Sequence, residues 1–178
     1  MAYLVETIAL IVIISTLLWV LVFRSLPSAT PYLPISKKTF PFIKQSLNLN
    51  SESVFYDLGC GDGKVVDYIS RAYPNVKCVG IEKSWLPYWL AKFRNRNNLN
   101  VIIGRRNFFL EDLSAATHIY LYLFPVLMPK LLEKFKTELK FGTVVLSCDF
   151  TFPNIAPIES IKTGKPPGFG GTIYKYIF

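Results

Sequence analysis

The chain has 178 residues, enough for one globular domain with an appendage. A formal net charge of +8 favours an anionic partner surface, lipid headgroups or nucleic acid, without choosing between them. Cys60, Cys78 and Cys148 are scattered, with no C-x-x-C pair to suggest metal or disulfide chemistry, and His118 has no ligand-type neighbours, so the reading is a reducing compartment and no metal.

From the amino end, Tyr3 to Phe23 is apolar apart from Glu6, Thr7, Ser15 and Thr16. As a helix it would span roughly 31 Å, the thickness of a bilayer core. No Lys or Arg precedes it and no small-residue cleavage site follows, which argues for a retained single-pass anchor over residues 1–24 and against a signal peptide. Arg24, Lys37, Lys38 and Lys44 lie after it, so the positive-inside rule places the body of the protein in the cytoplasm. Residues 25–50 form a Pro-rich juxtamembrane segment, with Pro27, Pro31, Pro34 and Pro41. A helix is expected from Lys37 to Leu47, with Phe40, Ile43 and Leu47 on one face. The segment reads equally as a spacer or as a lid, with Tyr32 and Pro34 as its candidate substrate-facing residues.

The domain proper, residues 51–178, begins with a strand from Ser53 to Leu58 that breaks into Gly59, Gly61 and Gly63 at every second position. Glycines at such a turn permit positive φ and close backbone approach to a ligand. A helix follows from Lys64 to Tyr73. The third glycine of the dinucleotide fingerprint is replaced by Lys64, so that fingerprint is not met. A second strand, Val76 to Ile81, ends at Glu82, nineteen residues beyond Gly63, where an acid can accept hydrogen bonds from both ribose hydroxyls of an adenosine cofactor. Ser84 can cap the next helix, whose Leu86, Trp89, Leu90 and Phe93 are expected on its buried side. Asn100 to Ile103 is a third strand, and Thr117 to Phe124 a fourth, apolar throughout as a central parallel strand would be. A helix with Leu131, Leu132, Phe135 and Leu139 inside, a fifth strand from Thr143 to Phe150, and a closing antiparallel pair, Ile155 to Ile161 with Thr172 to Phe178, complete the pattern.

Strands alternating with helices, with a glycine loop after the first and an acid after the second, imply an α/β, Rossmann-like, doubly wound and mostly parallel sheet, preceded by one transmembrane helix. Asp57-x-Gly59-x-Gly61-x-Gly63 resembles the first motif of class I S-adenosylmethionine (SAM) methyltransferases. Pro31-Tyr32-Leu33-Pro34, residues 107–113, Tyr122-Leu123-Phe124-Pro125 and Phe150-Thr151-Phe152-Pro153 extend the resemblance to the membrane-anchored protein lysine methyltransferases of the ATP synthase c-subunit and the adenine nucleotide translocase, with their small prokaryotic relatives.

The resemblance implies SAM as cofactor, held through Asp57, Gly59, Cys60, Gly61 and Gly63 at its amino-acid end and Glu82 with Lys83 at its ribose. Asn107 and Phe108 are the adenine candidates, although Asn107 could equally serve packing or a turn. Tyr122, Phe124 and Pro125 are the substrate candidates. Leu-Phe-Pro after the fourth strand departs from the Asn-Pro-Pro-Tyr of enzymes that methylate adenine or glutamine, and no catalytic base is identified. The expected partners are a lipid bilayer and a membrane-associated protein substrate, with no nucleic acid. The expected location is the cytoplasmic membrane, or the mitochondrial inner membrane in a eukaryote. A lipid or hydrophobic small-molecule acceptor, and a non-catalytic SAM-binding role, remain alternatives.

Overall fold

A computed structural model describes residues 2–24, 35–166 and 170–178. The chain divides into two units, residues 1–31 and 32–178. Tyr32 and Pro34, the two lid candidates, lie outside the described residues.

The first unit holds helix α1, Ala2–Arg24. Its described side chains from Val5 to Leu18 are all exposed. The polar ones turn inward on their own backbone: Thr7 Oγ1 donates to the Tyr3 carbonyl at 2.7 Å and Thr16 Oγ1 to that of Val12 at 2.8 Å. Among the described residues, no helix is long and apolar enough to cross a membrane. The segment expected to span a bilayer forms helix α1.

The second unit is a seven-stranded sheet in the order β3-β2-β1-β4-β5-β7-β6. The strands are β1 Val54–Leu58, β2 Lys77–Glu82, β3 Val101–Arg105, β4 His118–Leu121, β5 Val144–Cys148, β6 Glu159–Lys162 and β7 Thr172–Ile177. The first five run parallel, and β7 enters antiparallel between β5 and β6. The crossover helices are α3 Lys64–Ala72, α4 Trp85–Arg94 and α5 Met128–Glu138, while α2, Phe40–Leu47, precedes the sheet.

Strand side chains alternate between two cores. Phe55, Cys78, Tyr120, Leu146 and Cys148 meet Ile43 and Leu47 of α2 and Val66 and Ile69 of α3 on one side. Leu58, Ile81, Ile119, Leu121 and Val145 meet Leu131, Leu132 and Phe135 of α5 on the other. All three cysteines are buried, and burial pushes the Cys78 and Cys148 thiols up to about 12.

Two expectations are corrected. Strand β4 stops at Leu121, so Tyr122 to Phe124 belong to the loop beyond it, and Pro125 opens a short 3₁₀ turn. On α4, Leu86, Trp89, Leu90 and Phe93 face solvent, and only Ala91 is buried. The reason lies in the glycine loop. A Cβ on Gly63 would stand 2.9 Å from Ala91 Cβ, so α4 approaches through its smallest side chain and turns its large ones away.

Candidate active site

The site is assembled at the carboxyl ends of β1, β2, β4 and β5, where ligands bind in open α/β sheets. Gly59, Gly61 and Gly63 have φ of +76°, +57° and +74°, a repeated left-handed conformation that carries the chain sharply from β1 into α3. The amides of Gly59 and Cys60 both donate to the Ile81 carbonyl, at 2.8 and 3.1 Å, which ties the loop to the end of β2.

Glu82 completes this tie from the side-chain direction. Its Oε2 accepts from the Gly61 amide at 3.0 Å and its Oε1 from the Ser84 amide at 2.7 Å, so the carboxylate is held in one orientation between the loop and the start of α4. A carboxylate has about four acceptor positions, which leaves capacity for ligand hydroxyls. Asp57 is buried at 3% exposure, on the strand beneath the loop. Burial first, then the charges of Glu82 and Asp62, raises its carboxyl well above the ordinary carboxylate range. Asp62 is itself paired, with Lys64 Nζ at 2.7 Å and Arg94 Nη2 at 3.1 Å. Three acidic side chains thus surround the glycine turn, and the acceptor capacity left on the Glu82 carboxylate suits a ligand that offers hydroxyls. The residues present fit SAM on these grounds.

The opposite wall is aromatic. The Tyr122 ring stacks on Phe150 at 6.2 Å between centroids, and the Phe124 ring on the same Phe150 at 6.4 Å. Leu123 between them lies over the glycine loop: a Cβ on Gly59 would come within 2.8 Å of Leu123 Cδ2. Behind this wall stands Asp149, left-handed at φ +61°. Its Oδ2 accepts from the Tyr122 hydroxyl at 3.0 Å and the Gly170 amide at 2.9 Å, and its Oδ1 from the Thr172 amide at 2.9 Å. Burial and the bond to Asp149 push the Tyr122 phenol far above its usual range, so Tyr122 stays neutral. Thr39, just before α2, donates to the Gly170 carbonyl at 3.3 Å, which links the segment ahead of the domain to the same corner.

Asp57, the three glycines, Cys60 and Glu82 therefore come together, and Tyr122 and Phe124 form a second group beside them. Lys83 is exposed next to Glu82, and Pro125 is exposed at the rim. Asn107 caps the 3₁₀ turn of Phe108–Leu110, accepting from the Phe109 amide at 3.2 Å, which favours its turn-forming role. Phe108 packs on Phe109 at 4.7 Å. Sequence reasoning passed over Asp149 and Asp62. Asp149 carried one signal, its place between a buried strand and the aromatic Phe150, but the partners described for it come from the loop after β4, the turn before β7 and β7, far away in sequence.

The fold and site define a class I SAM-dependent methyltransferase. The profile of the ANTKMT methyltransferase domain matches residues 57–159, and the chain belongs to that family. It is 30% identical to a protein-lysine N-methyltransferase of Saccharolobus islandicus (strain REY15A) over 83% of this chain and 92% of that one. It is also 30% identical to the Xenopus laevis ATP synthase c-subunit lysine N-methyltransferase, over 71% of this chain and 56% of that one, so it spans little more than half of that longer enzyme. Among solved structures, an RNA methyltransferase from Salinibacter ruber in complex with S-adenosyl-L-homocysteine is 28% identical, covers 81% of this chain and 92% of that one, and superposes with a TM-score of 0.73. SAM is the cofactor.

Proposed function

We propose that this chain methylates the ε-amino group of a lysine in a membrane-associated protein, and that α1 holds the enzyme to the membrane. Its relatives named as protein-lysine and ATP synthase c-subunit lysine N-methyltransferases support the lysine reading. The observation that carries it is the aromatic wall of Tyr122, Phe124 and Phe150 beside the glycine loop, an apolar lining suited to the methylene stem of lysine.

Bound SAM supplies an activated methyl group. The protein's work is then to align and desolvate the acceptor. Asp57 and the glycine backbone hold the amino-acid end of the cofactor, with Cys60 in the loop. Glu82 takes the ribose, flanked by Lys83, and Phe108 with Asn107 borders the adenine. Tyr122 and Phe124 orient the lysine stem. Desolvation against these rings lowers the pKa of the acceptor ammonium, so its proton leaves to solvent before transfer, and no dedicated base is required. The bond from Thr39 to Gly170 ties the residues just before α2 to the corner that holds the aromatic wall.

Anchoring is supported by the exposed, consecutive apolar residues Leu10 to Ile14 of α1, which face every side of the helix. The basic residues after α1 support a catalytic domain on the cytoplasmic side. A lipid acceptor is the second reading, favoured by the same apolar wall. The test is methyl transfer from labelled SAM into membranes of the source cell. Label in protein, recovered as methyllysine after hydrolysis, is the expected result; label in the lipid extract alone selects the second reading.

A further inference from the structure

Helix α4 carries its hydrophobic stripe on the wrong side for a core. Trp85, Leu86, Trp89, Leu90 and Phe93 are 53%, 58%, 48%, 50% and 67% exposed. At about 100° per residue they cover one arc of about 140°, centred nearly opposite the buried Ala91. Lys92 borders one edge of that arc and Arg94 the other. The cations lie on the rings themselves: Lys92 Nζ is 5.9 Å from the Trp89 ring centroid, and the Arg96 guanidinium is 4.1 Å from that of Phe93. From Lys83 to Leu110 the chain contains six cations, Lys83, Lys92, Arg94, Arg96, Arg105 and Arg106, and no acidic residue.

We propose that the outer face of α4 docks on an anionic lipid surface. Tryptophan rings prefer the headgroup level of a bilayer, where their apolar body and N–H are both satisfied. Interleaved Lys and Arg add attraction to anionic headgroups and none to zwitterionic ones. Arg94 pairs with Asp62 and Arg106 with Glu111, so the charge offered outward rests on the exposed Lys83, Lys92, Arg96 and Arg105, the complement of such a surface. Because α4 starts three residues after Glu82, this docking sets the mouth of the cleft beside the headgroups. The proposal does not depend on α1 as an anchor, and the test separates the two.

Trp19, Trp85 and Trp89 are the three tryptophans of the chain. In the full-length protein carrying Trp19→Phe, emission reports on α4 alone. It is mixed with vesicles of brominated phosphatidylcholine, with or without phosphatidylglycerol, and sedimentation is followed in parallel. The expected result is a blue shift and quenching with the anionic vesicles, lost when Lys92→Gln and Arg96→Gln are added. Protein that sediments with vesicles while its emission stays unquenched overturns docking by α4 and leaves the anchor standing. A blue shift without quenching, seen on adding membrane proteins, overturns it in favour of a protein partner. Equal quenching in both vesicle types, insensitive to the two substitutions, overturns the electrostatic selection. Protein that stays in the supernatant with every vesicle overturns both docking and anchoring.

Discussion

Asp57 concentrates the tension between stability and binding at the residue scale. Its carboxyl titrates well above the ordinary range in the fold, so the native state binds a proton that the unfolded chain has already released. Stability attributable to this group is present below its ordinary pKa and is lost as pH rises through the folded value. Asp57→Asn is therefore expected to unfold at a higher temperature than the parent at neutral pH, with the difference vanishing in acid, while calorimetry records weaker SAM binding. Unchanged SAM affinity would remove Asp57 from the site. Glu82 is expected to behave differently. Its carboxylate accepts from two fixed amides, so Glu82→Gln forces an NH₂ against one of those donors and weakens SAM binding by about tenfold to a hundredfold. At the aromatic wall, Tyr122→Phe removes one donor to Asp149 and keeps those of the Gly170 and Thr172 amides. The expected outcome is a lower kcat with SAM affinity unchanged, measured by methyl transfer and by titration on the same preparation; an equal loss in both would place Tyr122 in cofactor binding instead.

At the scale of elements, the glycine loop and α4 form one packing unit. Gly63 adopts φ +74°, and a Cβ there would also lie 2.8 Å from Asn95 Nδ2. Gly63→Ala is expected to cost about 1–3 kcal/mol from backbone strain alone. It should push α4 outward, read as a lower Tm and weaker SAM binding together. A stable variant with normal binding would show that the approach of α4 is not needed. The strands, the turn and the acid that ends β2 were legible in the sequence because each is written in local residues: β-branched runs, alternating glycines, a carboxylate at a fixed spacing. The facing of α4 was not. Its apolar stripe has the period of a core helix, and only the three-dimensional meeting of Gly63 with Ala91 decides which side turns inward. The length of β4 was misread for a related reason, since Tyr122 and Phe124 have the composition of a strand but are recruited by Phe150 and Asp149 into the wall. Asp149 itself is invisible locally, because its partners arrive from the loop after β4, the turn before β7 and β7.

For the whole molecule, the two units carry the two proposed attachments to a membrane, and these are separable. Deleting residues 1–24 is expected to convert a protein that resists extraction by alkaline carbonate into one released by high salt, followed by immunoblotting of membrane fractions. Salt release of the intact chain would argue against anchoring by α1.

The burial of Cys60, Cys78 and Cys148 gives the protein an internal clock. A thiol reagent can reach a buried sulfur only during an opening, and the three lie at different depths of the same event: Cys60 within the cofactor turn, Cys78 on a central strand, Cys148 beneath the aromatic wall. Cys60 labelled ahead of the other two would time the local fraying of the turn, and simultaneous labelling would time global unfolding. Added SAM should slow the first rate by the factor 1 + [SAM]/Kd, so that affinity can be read from mass spectra of labelled peptides across a titration without following any methyl group.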